Sequence, residues 1–232
     1  ITIATAMGDF MNLLSLTILK PIFNDTNCDY WEKINKLKID NGIPDEKFQK
    51  YINYAKDMVN LTKQDNINNE WRNLVKDFLL PLFKGLFVNN DTKLNCTNNS
   101  CLIKIINCFN ELPGILGWNM SLSTEENYNE ARSSYPNLTG DIHEYFKNSY
   151  GGTGKELGQF FTPPRLINGI KGGCKLNEKF NQSGNKSLYD PCVGSGGILN
   201  NIFQDMDNEI SELSGIEIAE DTIKWAYQSL LI

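Results

Sequence analysis

The chain has 232 residues, a formal net charge of −6 and 41% hydrophobic residues. That length admits one or two domains with a real core, and a charged fraction of 22% is ordinary for a globular protein. The acidic balance is the wrong sign for a stand-alone nucleic-acid-binding module, which carries a basic footprint, and Asp9 and Asn12 interrupt the apolar N-terminal stretch before it reaches the roughly 18 residues of a membrane span.

In chain order, residues 1–140 read as helices. Pro44-Asp45-Glu46 opens a run with Phe48, Tyr51, Ile52, Ala55 and Val59 on one face, which is helical spacing. Asn69 to Phe87 repeats the theme with Trp71, Leu74, Val75, Phe78 and Leu82, and Pro81 should kink or end that helix. Cys101 to Leu112 reads as a third helix. Ser123-Thr124-Glu125-Glu126 fits a capping box that opens a fourth. A short helix over 141–149 then leads into Tyr150-Gly151-Gly152-Thr153-Gly154, read as a hinge and a mobile lid. The domain boundary is expected between about 135 and 150. Residues 171–187, rich in Gly, Asn, Lys and Ser, read as an exposed loop. Two buried strands follow, near 187–190 and 212–218. The composition is rich in asparagine, isoleucine and lysine, as in proteins of AT-rich genomes.

The chemistry concentrates near the C-terminal end. Ser187-Leu188-Tyr189 runs into Asp190-Pro191-Cys192-Val193-Gly194-Ser195-Gly196-Gly197 and then a helical pattern. A strand, a glycine turn and a helix N-terminus let backbone approach a ligand closely and offer it free N–H groups. Leu213-Ser214-Gly215-Ile216-Glu217-Ile218 supplies an acidic strand end about twenty residues on, where a carboxylate can accept ribose hydroxyls. The spacing Gly-Ser-Gly-Gly-Ile-Leu from Gly194 is not the dinucleotide fingerprint. Gly154-Lys155 invites a phosphate-loop reading, which fails because Glu156 stands where Ser or Thr must hold magnesium. Cys96, Cys101 and Cys108 fit no zinc spacing, Cys28, Cys174 and Cys192 are scattered, and His143 is the lone histidine. Reduced thiols without metal are expected. The start lacks the basic region of a signal peptide, and an intracellular, cytoplasmic location is the expectation.

Upstream of the glycine turn lies Gly158-Gln159-Phe160-Phe161-Thr162-Pro163. With the Asp190–Gly197 turn and Gly215-Ile216-Glu217, this set resembles the adenine-N6 DNA methyltransferases. It is most similar to the methylation subunits of type I restriction–modification systems, over roughly residues 139 to 232. The resemblance implies S-adenosylmethionine as cofactor. Gln159, Phe160, Phe161, Thr162, Pro163 and Pro164 would line its methionine side. Asp190, Pro191, Gly194, Ser195, Gly196 and Gly197 would hold the amino acid moiety and pass under the sulfonium. Glu217 would take the ribose hydroxyls, with Ile218 beside it. The residue chemistry agrees: Asp190 suits the cationic sulfonium and ammonium, and Phe160 and Phe161 offer faces to a cation.

The expected fold class is α + α/β. A helical N-terminal domain, residues 1–140, precedes the start of a doubly wound Rossmann-like methyltransferase domain, residues 141–232, read as truncated. The family's Asn/Asp-Pro-Pro-aromatic motif orients the adenine amine. Here the only Pro-Pro is Pro163-Pro164, followed by Arg165, so we expect no catalytic residue in these 232 and no methylation by the segment alone. The expected function is transfer of a methyl group from S-adenosylmethionine to adenine in double-stranded DNA, alongside specificity and restriction subunits, with no metal and no membrane. In the family, the helical region clamps DNA or contacts the specificity subunit. The competing expectations are a degenerate methylase-like adapter binding a partner protein and, more weakly, a nucleotide-binding oxidoreductase.

Overall fold

The computed structural model describes residues 3–135, 138–142, 145, 162–182, 186–206 and 210–231. The chain divides into two compact units, Ile1–Tyr135 and Pro136–Leu231.

The first unit is helical, and its opening helix α1 (Ile3–Ile18) explains why. Leu13, Leu14, Leu16 and Ile18 all lie at 1% exposure or less, so the second half of the helix is covered on every side. The polar residues on it are satisfied internally. Thr17 Oγ1 donates to Leu13 O at 2.9 Å. The buried Asp9 carboxylate accepts from Asn95 N at 2.7 Å, Asn95 Nδ2 at 3.1 Å and Cys96 N at 2.7 Å. Thus the two residues that break the hydropathy run, Asp9 and Asn12, are themselves buried. No helix among the described residues is long and apolar enough to cross a membrane.

Around α1 lie α2 (Lys20–Asn24), α3 (Tyr30–Asp40), α4 (Asp45–Lys56) and α5 (Val59–Thr62). The α4 face is the one its spacing predicts, with Phe48, Tyr51, Ile52 and Ala55 buried. Val59 does not continue it. The chain turns extended at Asp57 (φ −149°, ψ 100°), Asp57 Oδ1 accepts from Val59 N at 3.0 Å, and Val59 starts α5 half-buried. The next helix, α6 (Ile67–Leu74), begins two residues before the expected start because Asn66 caps it, accepting from Asn69 N at 2.9 Å. It widens into a π-helical turn over Val75–Leu79 before α7 (Leu80–Leu82) and stops at Phe83. Pro81 has no N–H to return to the preceding turn, and the chain ends the helix there, as expected.

The last helices of this unit are α8 (Asn99–Ile115) and α9 (Thr124–Ser134). The Ser123 capping box forms in both directions. Glu126 N donates to Ser123 Oγ at 3.2 Å, and Ser123 N donates to Glu126 Oε2 at 2.8 Å. Phe78 is an aromatic hub, with ring centroids at 5.8 Å from Phe23, 5.9 Å from Phe48 and 5.7 Å from Tyr51. Burial pushes the Tyr51 phenol well above its ordinary value, and the Asp77 carboxylate that accepts its proton at 3.1 Å adds to the shift.

The second unit carries α10 (Pro164–Cys174), α11 (Leu176–Gln182), β1 (Ser187–Asp190), α12 (Gly197–Asp205), β2 (Glu212–Gly215) and α13 (Glu220–Leu231). The loop expected over 171–187 is instead helical through 182, with Lys175 in the left-handed region (φ 51°) between α10 and α11, while most of residues 171–180 are exposed as expected. Glycines weaken a helix, but Ile167, Leu176 and Phe180 pack into the apolar cluster of Ile202, Met206 and Ile210. Tertiary burial outweighs the local preference. The helix expected over 141–149 is described only at 141, 142 and 145, which are helical. The hinge and lid of 150–156 and His143 lie outside the described residues.

Strands β1 and β2 pair in parallel, Ser187 opposite Glu212 through Asp190 opposite Gly215, and α12 crosses between them and packs on β1. This is one strand–helix–strand unit. Among the described residues the sheet has two strands, so the chain is mostly helical with a small parallel sheet. The strands sit where expected, but they are not buried. Tyr189 is 55% exposed and Ile216 59%, and β2 ends at Gly215 rather than near 218.

Candidate functional site

The site grows from the C-terminal ends of the two strands. Ile216 N donates to Asp190 O at 3.0 Å, and Val193 N donates to Ile216 O at 3.0 Å. These two bonds lace the turn after β1 to the chain leaving β2. The approach is close because Gly215 has no side chain. A Cβ there would stand 2.8 Å from Val193 Cβ and 3.0 Å from Asp190 O, which real packing does not allow. Sequence reasoning quoted Gly215 only as a step toward Glu217; its positioning role is legible only from the interatomic distances.

The turn itself is built from Asp190 to Gly196. Asp190 Oδ1 accepts from Cys192 N at 2.9 Å, an Asx-type turn that reverses the chain after the strand. Asp190 is 8% exposed, and among the described residues its second oxygen, Oδ2, is buried with no hydrogen-bond partner. A buried carboxylate oxygen without a donor is costly. Gly196 takes φ 84° and its Cα face lies against Ala226, where a Cβ would come within 3.2 Å of Ala226 Cα. Helix α12 starts immediately after, with Asn200 N bonded back to Gly196 O at 2.8 Å. The first N–H groups of α12 have no partner inside the helix. A Cβ at Gly197 would meet nothing within 4 Å, so that glycine is not required by packing beside its Cα.

Glu217 follows two residues after β2. Its Oε1 accepts from Ile218 N at 2.8 Å and Ala219 N at 2.9 Å. These bonds fix the carboxylate at the entrance to α13. Ile218 beside it is 96% exposed, an apolar side chain with nothing over it.

Of the residues expected at the site, Asp190, Pro191, Gly194, Ser195, Gly196, Gly197, Glu217 and Ile218 belong to these two laced segments. Ser195 is buried at 4% and Pro191 is exposed. Thr162 and Pro163 enter α10, where Pro163 O accepts from Leu166 N at 2.8 Å and Ile167 N at 3.2 Å, and Pro164 is its first residue. Among the described residues, no hydrogen bond joins Thr162, Pro163 or Pro164 to the glycine turn. Gln159, Phe160 and Phe161 lie outside the described residues. Lys171 of α10 reaches α12, donating to Asn201 Oδ1 at 2.6 Å and pairing with Asp205, so α10 is anchored to the helix that follows the turn. Among the described residues, no group of three or more His, Cys, Asp or Glu is placed to hold a metal ion.

A strand, a laced glycine turn and a carboxylate two residues past the next strand are thus brought together at one end of the small sheet. Residues 134–232 match the family model for N-6 DNA methylase. Over this stretch the chain is similar to the N-6 DNA methylases. The methylase segment contains the glycine turn, both strands and Glu217, and it coincides closely with the second compact unit. No solved structure matches the chain.

Proposed function

We propose that the methylase segment is the cofactor-binding part of a site-specific adenine-N6 DNA methyltransferase using S-adenosylmethionine. The observation that carries this reading is the buried Oδ2 of Asp190, without a partner among the described residues, beside a glycine turn laced to the strand that leads to Glu217. S-adenosylmethionine supplies an electrophilic methyl group on a cationic sulfur, and its other ends are an ammonium, a carboxylate and a ribose. The residues fit those groups. Asp190 offers an acceptor to the cationic end, the α12 N-terminus and the Gly194–Gly197 turn offer N–H groups to the carboxylate, and Glu217 Oε2 accepts from ribose hydroxyl. Ile218 provides an apolar surface for the adenine ring. Gln159, Phe160, Phe161, Thr162, Pro163 and Pro164 are assigned to the methionine side by family resemblance.

The role of these residues is to bind and orient the cofactor. The Asn/Asp-Pro-Pro-aromatic acceptor for the target amine is not among the 232 residues, so the chain by itself is expected not to methylate double-stranded DNA. The same reading sets the protein in the cytoplasm, in a type I restriction–modification system with specificity and restriction subunits. The doubly wound Rossmann-like fold belongs to the same reading, as does a domain division near residue 140.

Titration calorimetry with S-adenosylmethionine tests the assignment. Glu217→Ala should weaken binding about 10- to 100-fold, from roughly 1.5–3 kcal/mol of charge-assisted hydrogen bonding. Wild-type binding with unchanged affinity in the variant would remove Glu217 from the site.

A further inference from the structure

In the helical unit, the segment that enters α8 sets two cysteines around one backbone carbonyl. Cys96 is 3% exposed, and its backbone N–H is held by the Asp9 carboxylate at 2.7 Å. Its thiol donates to Asn98 O at 3.7 Å. Cys101, on the first turn of α8, is exposed, and its N–H reaches the same Asn98 O at 3.1 Å and Asn98 Oδ1 at 3.0 Å. The buried thiol and the Cys101 backbone thus converge on one carbonyl oxygen. Burial pushes the Cys96 thiol up, and the adjoining Cys101 side chain adds to that shift. Both thiols are free.

We propose that Cys96 and Cys101 are a dithiol modification site, oxidised to an internal disulfide by small-molecule disulfides such as oxidised glutathione. The exposed Cys101 sulfur, as thiolate, attacks one sulfur of the small disulfide. That S–S bond breaks, and the first small thiol leaves and takes up a proton. The Cys96 sulfur then attacks the Cys101 sulfur of the mixed disulfide, its proton passing to the second departing thiol. The protein loses two hydrogens and two electrons, and one small disulfide becomes two thiols. The product ties the segment pinned by Asp9 to the first turn of α8, around the Asn98 cap.

Trypsin should release both cysteines in one peptide, Leu94–Lys104, which contains no other cysteine. The full chain is equilibrated with reduced and oxidised glutathione, quenched with an alkylating reagent, digested and weighed. The expected result is an unalkylated Leu94–Lys104 peptide lighter by two hydrogens than the dithiol form. In the folded chain it should appear at a glutathione ratio about tenfold more reducing than in denaturant, a shift of roughly 30 mV. Cys101→Ser should abolish the internal bond and leave Cys96 to be alkylated only on unfolding. A peptide carrying glutathione without an internal bond at every ratio would overturn the proposal, as would equal ratios for folded and denatured chain.

Discussion

In the helical unit, Met11 to Leu19 occupy nine consecutive buried positions. In the methylase segment, the two strands Ser187–Asp190 and Glu212–Gly215 contain one buried residue between them, and it is the carboxylate Asp190. The first region is ordered by apolar surface removed from water. The second holds a small apolar cluster around Ile202 and Met206, a buried face of α13 with Trp225 and Ala226, and backbone hydrogen bonds at the strand ends. The contrast separates a unit held by a buried apolar helix from a strand pair whose buried residue is polar; the proposed cofactor site lies on the second.

The largest expected effect falls on the apolar side of the comparison. Phe78 is fully buried among Phe23, Phe48 and Tyr51, so Phe78→Ala should cost about 3–5 kcal/mol in denaturant unfolding. A loss below about 1 kcal/mol would mean that this aromatic cluster collapses around the cavity and is not the close-packed hub its ring distances describe. On the other side, Gly215→Val forces a side chain into the 2.8 Å gap before Val193. That should cost about 1–3 kcal/mol, and cofactor affinity should fall with it, because the lacing of the two segments opens. Wild-type stability and affinity in this variant would show that the close approach is not required.

How much of this was legible in the sequence depended on how local the cause was. The Ser123 capping box and the α4 face were readable because their partners lie three or four residues away. So was the order strand, glycine turn, strand, acidic residue. The helices α10 and α11 were not, because their glycines, lysines and asparagines favour a loop locally, and only Ile167, Leu176 and Phe180 meeting Ile202 make them helical. The π-turn before Pro81 and the break at Asp57 likewise depend on backbone bonds that no residue pattern announces. At the site, sequence identified Glu217 as a carboxylate at a strand end. That its Oε1 is already held by Ile218 and Ala219 N–H groups is visible only in the structure, as is Asp190 Oδ2, which is without a partner among the described residues. The proposed methionine-side residues Gln159, Phe160 and Phe161 lie outside the described residues.

The smallest effect refines the stability side by pH. The Thr124 N–H bonded to Asp25 at 2.8 Å holds the Asp25 carboxyl below its usual value of 3.8, against burial and with help from Asn27. A carboxylate whose folded-state value is depressed contributes stability above its unfolded value and loses it as pH falls through the folded value. The stability difference between wild type and Asp25→Asn should therefore be constant near neutrality and shrink below about pH 4. A difference independent of pH would mean that the charge does not matter at the start of α9.

Hydrogen exchange with and without S-adenosylmethionine tests the central claim most directly. Peptides spanning 190–200 and 212–220 should gain protection as the glycine turn, the α12 N-terminus and the Glu217 turn close on the ligand, while α1 and α8 remain unchanged. Protection confined to the helical unit, or none in either strand-end segment at saturating cofactor, would contradict the account.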